Sequence, residues 1–149
     1  MLNIYMKDAY RVAFYDVVKD TQINTGYNLP EELEAYVVML LAHFIDRPDY
    51  LPEQSFAESY LKLRRSSGLS AKELGDTCLF VTGVFPTYGS KHGLNRRYYQ
   101  DIGIGSYEMV AEVMHPTLFT QLATHFHFLS DFIEITTSSA KRSHSNLFR

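Results

Sequence analysis

Six histidines, a single cysteine and an aspartate set in an apolar helical stretch are the residues here with the means to do chemistry. The histidines are His43, His92, His115, His125, His127 and His144. A metal ion held by one helix wants ligands three or four residues apart, so that both project from one face. His125 and His127 are two apart and diverge by about 200° around a helix. His127 and Asp131 do share a face, with Glu134 on the next turn, and a carboxylate–histidine set could begin there. The plainer reading is a surface or interface pair; no metal and no cofactor is assigned. His43, in "LLAHF", reads as a helix histidine rather than a ligand. Cys78 has no histidine near it in sequence and belongs to an apolar stripe. A nucleophilic thiol needs an activating base or a lowered pKa, so Cys78 reads as buried and inert. As the only cysteine it also excludes an intrachain disulfide and a CxxC site.

Asp76 follows Leu-Gly within a largely apolar helix. Lys72, one turn back, offers a surface ion pair. Alternatively Asp76 faces the next helix and accepts from Tyr98, Tyr99, Arg96 or Arg97. A buried carboxylate must be paired or hydrogen-bonded, so that arrangement makes either a structural polar knot or a ligand site. Two further stretches invite chemistry. "GIGSYE" lacks a preceding strand and has Glu108 where a dinucleotide loop needs its third glycine. "TYGSKHGLNRRYY" gathers Lys91, His92, Arg96 and Arg97 at a helix start and could draw an anion, yet it lacks nested glycines and reads as a solvated connector.

The elements that position these residues are read from periodicity and breakers. Residues 4–24 form an amphipathic helix through Ile4, Tyr5, Ala9, Val12, Ala13, Val17 and Ile23, stopped by Gly26 and Asn28. Pro30 opens a second helix whose Glu31, Glu32 and Glu34 suit its positive end. It carries Val37, Val38, Leu40, Leu41, Phe44 and Ile45, enough to make it central, with the fourth, fifth and sixth helices around it. A third runs from about Glu53 to Arg65. Ser70 and Glu73 form a capping box for a fourth, over 71–85, which stops ahead of Pro86. Asn95 caps a fifth, over 95–114. His115-Pro116 starts a sixth that continues through Phe132 and Ile133, and residues 138–149 are a tail or a short last helix.

Gly83, Gly103 and Gly105 sit inside the fourth and fifth helices, where each costs about 1 kcal/mol relative to alanine. Bare backbone admits a close neighbour. One reading is a tight crossing of the two helices, with Gly83 near Gly103. The other is a bound small molecule in a pocket between them, lined by Asp76, Phe80, Gly83, Arg97, Tyr98, Tyr99, Gly103 and Tyr107.

"LGDTCLFVTGVFP" followed by "RRYYQDIGIGSYEMVAEV" resembles a family of uncharacterised bacterial all-helical proteins. The shared pattern falls here on Leu74, Gly75, Asp76, Leu79, Phe80, Gly83, Tyr98, Tyr99, Gly103, Ser106 and Tyr107, with Val84 where the family often has an aromatic. The resemblance covers roughly 30–149. It implies a single α-helical domain, with further helical sequence in family members beyond the equivalent of Arg149, and brings no activity to carry over.

Composition bounds the rest. The chain has 149 residues, 46% hydrophobic and 21% charged, which suits one globular domain rather than a disordered one. A net charge of −3 provides no basic field for nucleic acid. The longest apolar run, "YVVMLLA", is far short of the roughly 20 residues of a membrane span. Lys7, Asp8 and Arg11 leave no apolar signal core at the start. The expectation is an all-α, single-domain bundle of six or seven helices over 1–149, cytoplasmic and bacterial, with no nucleic-acid or membrane partner. No catalytic arrangement passes its geometric test. The functional expectation is therefore a non-enzymatic protein that binds a protein partner or forms a homodimer, with the small-molecule pocket as the alternative.

Overall fold

The computed structural model describes residues 4–45 and 68–143. They form six α-helices and no strand: α1 (Ile4–Thr25), α2 (Glu31–Phe44), α3 (Gly68–Val84), α4 (Arg96–Ala111), α5 (Pro116–Thr124) and α6 (Phe126–Ser143). The helix expected over 53–65 lies outside the described residues. The described residues contain no helix long and apolar enough to cross a membrane.

The chain groups into two compact units, residues 1–50 with 135–149, and residues 51–134. In the first, α1 packs on α2. Phe14, Val17, Val18, Thr21 and Gln22 recur at the three- and four-residue steps of one helix face, and all are buried. Gly26 ends α1 with φ +78°, and its N–H donates to the Gln22 carbonyl at 2.9 Å. That left-handed position is one only glycine takes without strain. Pro30 precedes α2 and its carbonyl accepts from the Glu34 N–H at 2.9 Å. α2 buries Leu33, Val37, Val38, Leu40, Leu41 and Phe44. It was expected at the centre of the fourth to sixth helices; its packing partner within its unit is α1. The late turns of α6 join them, where the Thr136 hydroxyl donates to Thr21 Oγ1 at 3.0 Å and Thr21 donates on to the Val17 carbonyl.

In the second unit α3 packs on α4, and α4 on α5. α3 is buried on every side from Thr77 to Val84. It begins at Gly68, two residues before the capping box, so Ser70 is an interior residue and not the cap. It ends ahead of Pro86, as expected. Asn95 caps α4, its side-chain oxygen accepting from the Tyr98 N–H at 2.9 Å. α4 stops at Ala111 rather than Met114, and the Val113 and Met114 N–H groups close its end on the Val110 carbonyl. The expected sixth helix is two helices. His125, at φ −101° and ψ 18°, breaks it without glycine or proline. The last helix then runs unbroken to Ser143, so 138–143 are its final turns and not a separate tail or helix, and 144–149 lie outside the described residues.

Candidate functional site

Asp76 and Tyr107 come together. The Tyr107 hydroxyl donates to Asp76 Oδ1 at 2.7 Å, and Lys72 Nζ lies 2.9 Å from Asp76 Oδ2. The sequence offered Lys72 correctly. For the donor on the next helix it named Tyr98, Tyr99, Arg96 or Arg97, whereas Tyr107 fills that role. The Tyr107 ring is fully buried. It lies against Gly75, where a Cβ would sit 2.7 Å from the ring, and packs tilted on Phe119 and Phe126, each with centroids 5.8 Å away. A buried phenol needs a partner for its polar end, and the Asp76 carboxylate is one. The cluster is a satisfied knot between α3 and α4.

The glycines mark close packing: Gly103 meets the expected neighbouring helix through Cys78, whereas Gly83 has a partner other than the one expected. A Cβ on Gly103 would strike the Phe126 ring and stand 2.9 Å from Cys78 Cβ. A Cβ on Gly83 would stand 2.5 Å from Ile133 Cγ2 and 3.4 Å from the Ser130 carbonyl oxygen. Gly83 therefore backs onto α6, not onto Gly103, and Gly103 receives side chains from both α3 and α6. The space beside Gly103, where the alternative reading put a pocket, is filled by Phe126 and Cys78. Gly105 is half-buried.

The other candidates are spread out. Phe80 is buried and edge-on to Phe85, with centroids 5.9 Å apart. Tyr99 is buried against Gly89, edge-on to Tyr88 at 5.2 Å and Tyr98 at 4.9 Å. Burial, followed by the neighbouring Tyr88 and Tyr98, raises its phenol pKa above the ordinary value. Arg97 is exposed and 3.9 Å from Asp101. Tyr98 and Arg97 begin α4, nine and ten residues before Tyr107, a rise of roughly 15 Å along the axis. They do not share a cluster with Asp76.

Arg96 does more than the sequence signalled. Its Nε donates to the Thr82 carbonyl at 2.8 Å, in the last turn of α3, where carbonyls lack helical partners. Its Nη1 bonds Asp131 Oδ1 at 2.9 Å, and Nη2 lies 3.2 Å from Glu134 Oε1 as an ion pair without hydrogen-bond geometry. The Thr82 hydroxyl meets Ser130 Oγ at 2.9 Å. His127 Nδ1 faces Gln100 Oε1 at 3.0 Å. His127 and Asp131 are thus engaged with different partners. Among the described residues no group of three or more His, Cys, Asp or Glu is placed to hold a metal ion. Cys78 is fully buried, and burial pushes its thiol pKa up, the opposite of activation.

In the first unit, Glu34, by sequence a helix-start charge, is a buried carboxylate. Gln22 Nε2 donates to its Oε2 at 2.5 Å, and Lys19 Nζ lies 2.9 Å from the same oxygen. Gln22 Oε1 accepts from the Leu29 N–H at 2.7 Å, so one side chain ties α1, the connection and α2. Burial acts to raise the Glu34 pKa. The hydrogen bonds from Gln22 and Lys19, with the Lys19 charge, more than offset this, and the net direction is down.

α1 presents an unexpected outer face. Val12 is 63% exposed and Ile23 77%, although the spacing argument had placed both in the apolar set of an amphipathic helix. Tyr15 is exposed beside them, with the Lys19 ammonium 5.4 Å from its ring centre. Plotting α1 at 100° per residue separates the two faces: Phe14, Val18 and Thr21 fall on one, Val12, Lys19 and Ile23 on the other. Comparison with protein-family models, curated proteins and solved structures finds no match.

Proposed function

We propose that this chain is a non-enzymatic helical protein that works by associating with another copy of itself through the outer face of α1. The observation that carries this reading is the double-sided apolar character of that helix. One side is consumed by the core of its unit, through Phe14, Val17 and Val18. The other holds Val12 and Ile23 in water, more exposed than the remaining large hydrophobic residues of α2 and α6. Burying a valine or isoleucine side chain is worth about 1.5–3 kcal/mol, so a partner surface that covers both gains appreciably. Symmetric pairs are the commonest assemblies of identical chains. The polar clusters support the same reading from the other side: Asp76, Glu34 and Arg96 are each held by internal partners.

Size-exclusion chromatography with light scattering tests the proposal. The mass should rise from 17.2 kDa towards twice that value as protein concentration increases, and Ile23→Asp should hold it at the monomer. A monomer mass at every concentration overturns it.

A further inference from the structure

The outer face of α1 is self-complementary in one orientation. Val12, Asp16, Lys19 and Ile23 follow one another at steps of four, three and four residues. That is the spacing of a coiled-coil seam, which keeps every member on one side of the helix. Val12, Asp16 and Ile23 are exposed, and the Lys19 side chain is 45% exposed. Along the seam the order is apolar, acidic, basic, apolar.

We infer that a second copy of this chain docks on this seam with its α1 antiparallel, about a two-fold axis that crosses between Val17 and Val18. The inference rests on the association proposed above and adds the face, the direction and the register. Reversing the helix lays Val12 against Ile23 of the second copy, and Asp16 against Lys19 of the second copy. The two-fold repeats both contacts, so four layers form, the outer two apolar and the inner two ion-paired. The alternative symmetric arrangement, parallel and in register, stacks Asp16 on Asp16 and Lys19 on Lys19, and like charges face to face are destabilising. The charge order therefore selects the antiparallel pair and penalises the parallel one.

Lys19 is already positioned for this contact. Its ammonium is fixed by Glu34 at 2.9 Å and lies beside the Tyr15 ring. Less side-chain freedom is lost when Asp16 of the second copy arrives. The cation then lies between two carboxylates, one from its own α2 and one from across the axis. The flanking charges of the same helix face are Asp8 and Asp20; Arg11, 4.0 Å from Asp8, lies round the helix toward Val18.

Cysteine cross-linking reads the register. Val12 and Ile23 are eleven residues apart, a rise of about 16 Å along one helix. A disulfide needs Cα atoms within about 7 Å, so no bridge can form within one α1. The full chain is prepared as V12C, I23C and the V12C/I23C double variant, each checked for helix content and thermal midpoint by circular dichroism. Cys78 is buried and is left in place. Mild oxidation should give a reducible dimer from the double variant and from an equimolar mixture of the two single variants. Neither single variant alone should cross-link. A cross-linked V12C homodimer overturns the antiparallel register. A dimer mass by light scattering with no cross-link in the folded double variant overturns the register and leaves self-association standing. A monomer throughout overturns both. Asp16→Lys provides the check on charge. It turns each inner layer into a pair of like charges and should abolish the cross-link of the double variant, and persistence of that cross-link counts against the ion-paired layers.

Discussion

Gly103 shows why a helix accepts a residue that costs about 1 kcal/mol of propensity. Two side chains from different helices, Phe126 and Cys78, occupy the place where a Cβ would be. Overpacking a filled core costs about 1–3 kcal/mol. Phe126 is fully buried and Cys78 offers a backbone-proximal Cβ, so neither can turn aside. We expect Gly103→Ala to lower the thermal midpoint by several degrees despite its gain in propensity. The double variant Gly103→Ala/Phe126→Leu should recover part of the loss, as coupled neighbours do. Thermal melts followed by circular dichroism check both. The need for close packing was legible in the sequence, because an interior glycine advertises itself. The identity of the neighbour was not: Phe126 is 23 positions away and belongs to a helix whose direction depends on the break at His125. Tyr107 makes a second residue-scale case. Tyr107→Phe keeps the ring against Gly75 and deletes the hydrogen bond to Asp76. A hydrogen bond to a charged group is worth about 1.5–3 kcal/mol, so the urea midpoint should fall while the spectrum of the native state stays unchanged. A variant as stable as the parent would mean that Asp76 is satisfied without the phenol.

At the scale of elements, the first two helices are tied by Gln22, which holds the Glu34 carboxylate with its amide N–H and the Leu29 N–H with its carbonyl. Gln22→Leu leaves a buried carboxylate with one partner fewer and a backbone N–H with none from that side chain. The expected loss is about 2–4 kcal/mol, by the cost of unsatisfied buried groups, read from the urea midpoint. The pH dependence has a definite sign. Glu34 has a folded-state pKa below its ordinary 4.5. Its stabilisation is therefore complete above about pH 4.5 and is lost as pH falls through the lowered value. Lys19 has a folded-state pKa above its ordinary 10.5, chiefly from its hydrogen bond to Glu34. Its share is present below pH 10.5 and is lost as pH rises through the raised value. Thermal midpoints measured from pH 7 down to about pH 3 should fall more steeply for the parent than for Glu34→Gln. Parallel curves would show that Glu34 carries no linkage. Helix ends divide by mechanism in what the sequence discloses. Gly26, Pro30, Pro86 and Asn95 act on the backbone within a residue or two, and each boundary lies where they place it. The start at Gly68 and the break at His125 carry no such signal. At the second, Phe126, the next residue, is fully buried over Gly103.

For the whole molecule, composition and periodicity were sufficient for an all-helical chain, and the described residues form six helices without a strand. The candidate site was less legible. Of the eight residues that the alternative reading set around a pocket, Asp76 and Tyr107 meet, Gly83 and Gly103 are filled against by α6, and Arg97 and Tyr98 lie at the far end of α4. The exposed face of α1 on which the proposed association rests was hidden in plain hydrophobicity. Val12 and Ile23 count toward an amphipathic pattern until the angle of each residue is compared with Phe14 and Val18, which point the other way. A short seam of four layers predicts a modest affinity, sensitive to salt in its two central layers. Raising ionic strength should shift the pair toward monomer, measurable by light scattering, whereas a purely apolar contact would tighten under sulfate.

Sedimentation equilibrium of the parent chain beside Asp16→Lys decides whether the α1 seam pairs two copies of this chain. The parent should fit a reversible monomer–dimer equilibrium built on 17.2 kDa, with the variant monomeric under the same conditions. A parent that sediments as a single 17.2 kDa species at all loadings, or a variant that pairs as well as the parent, would contradict it.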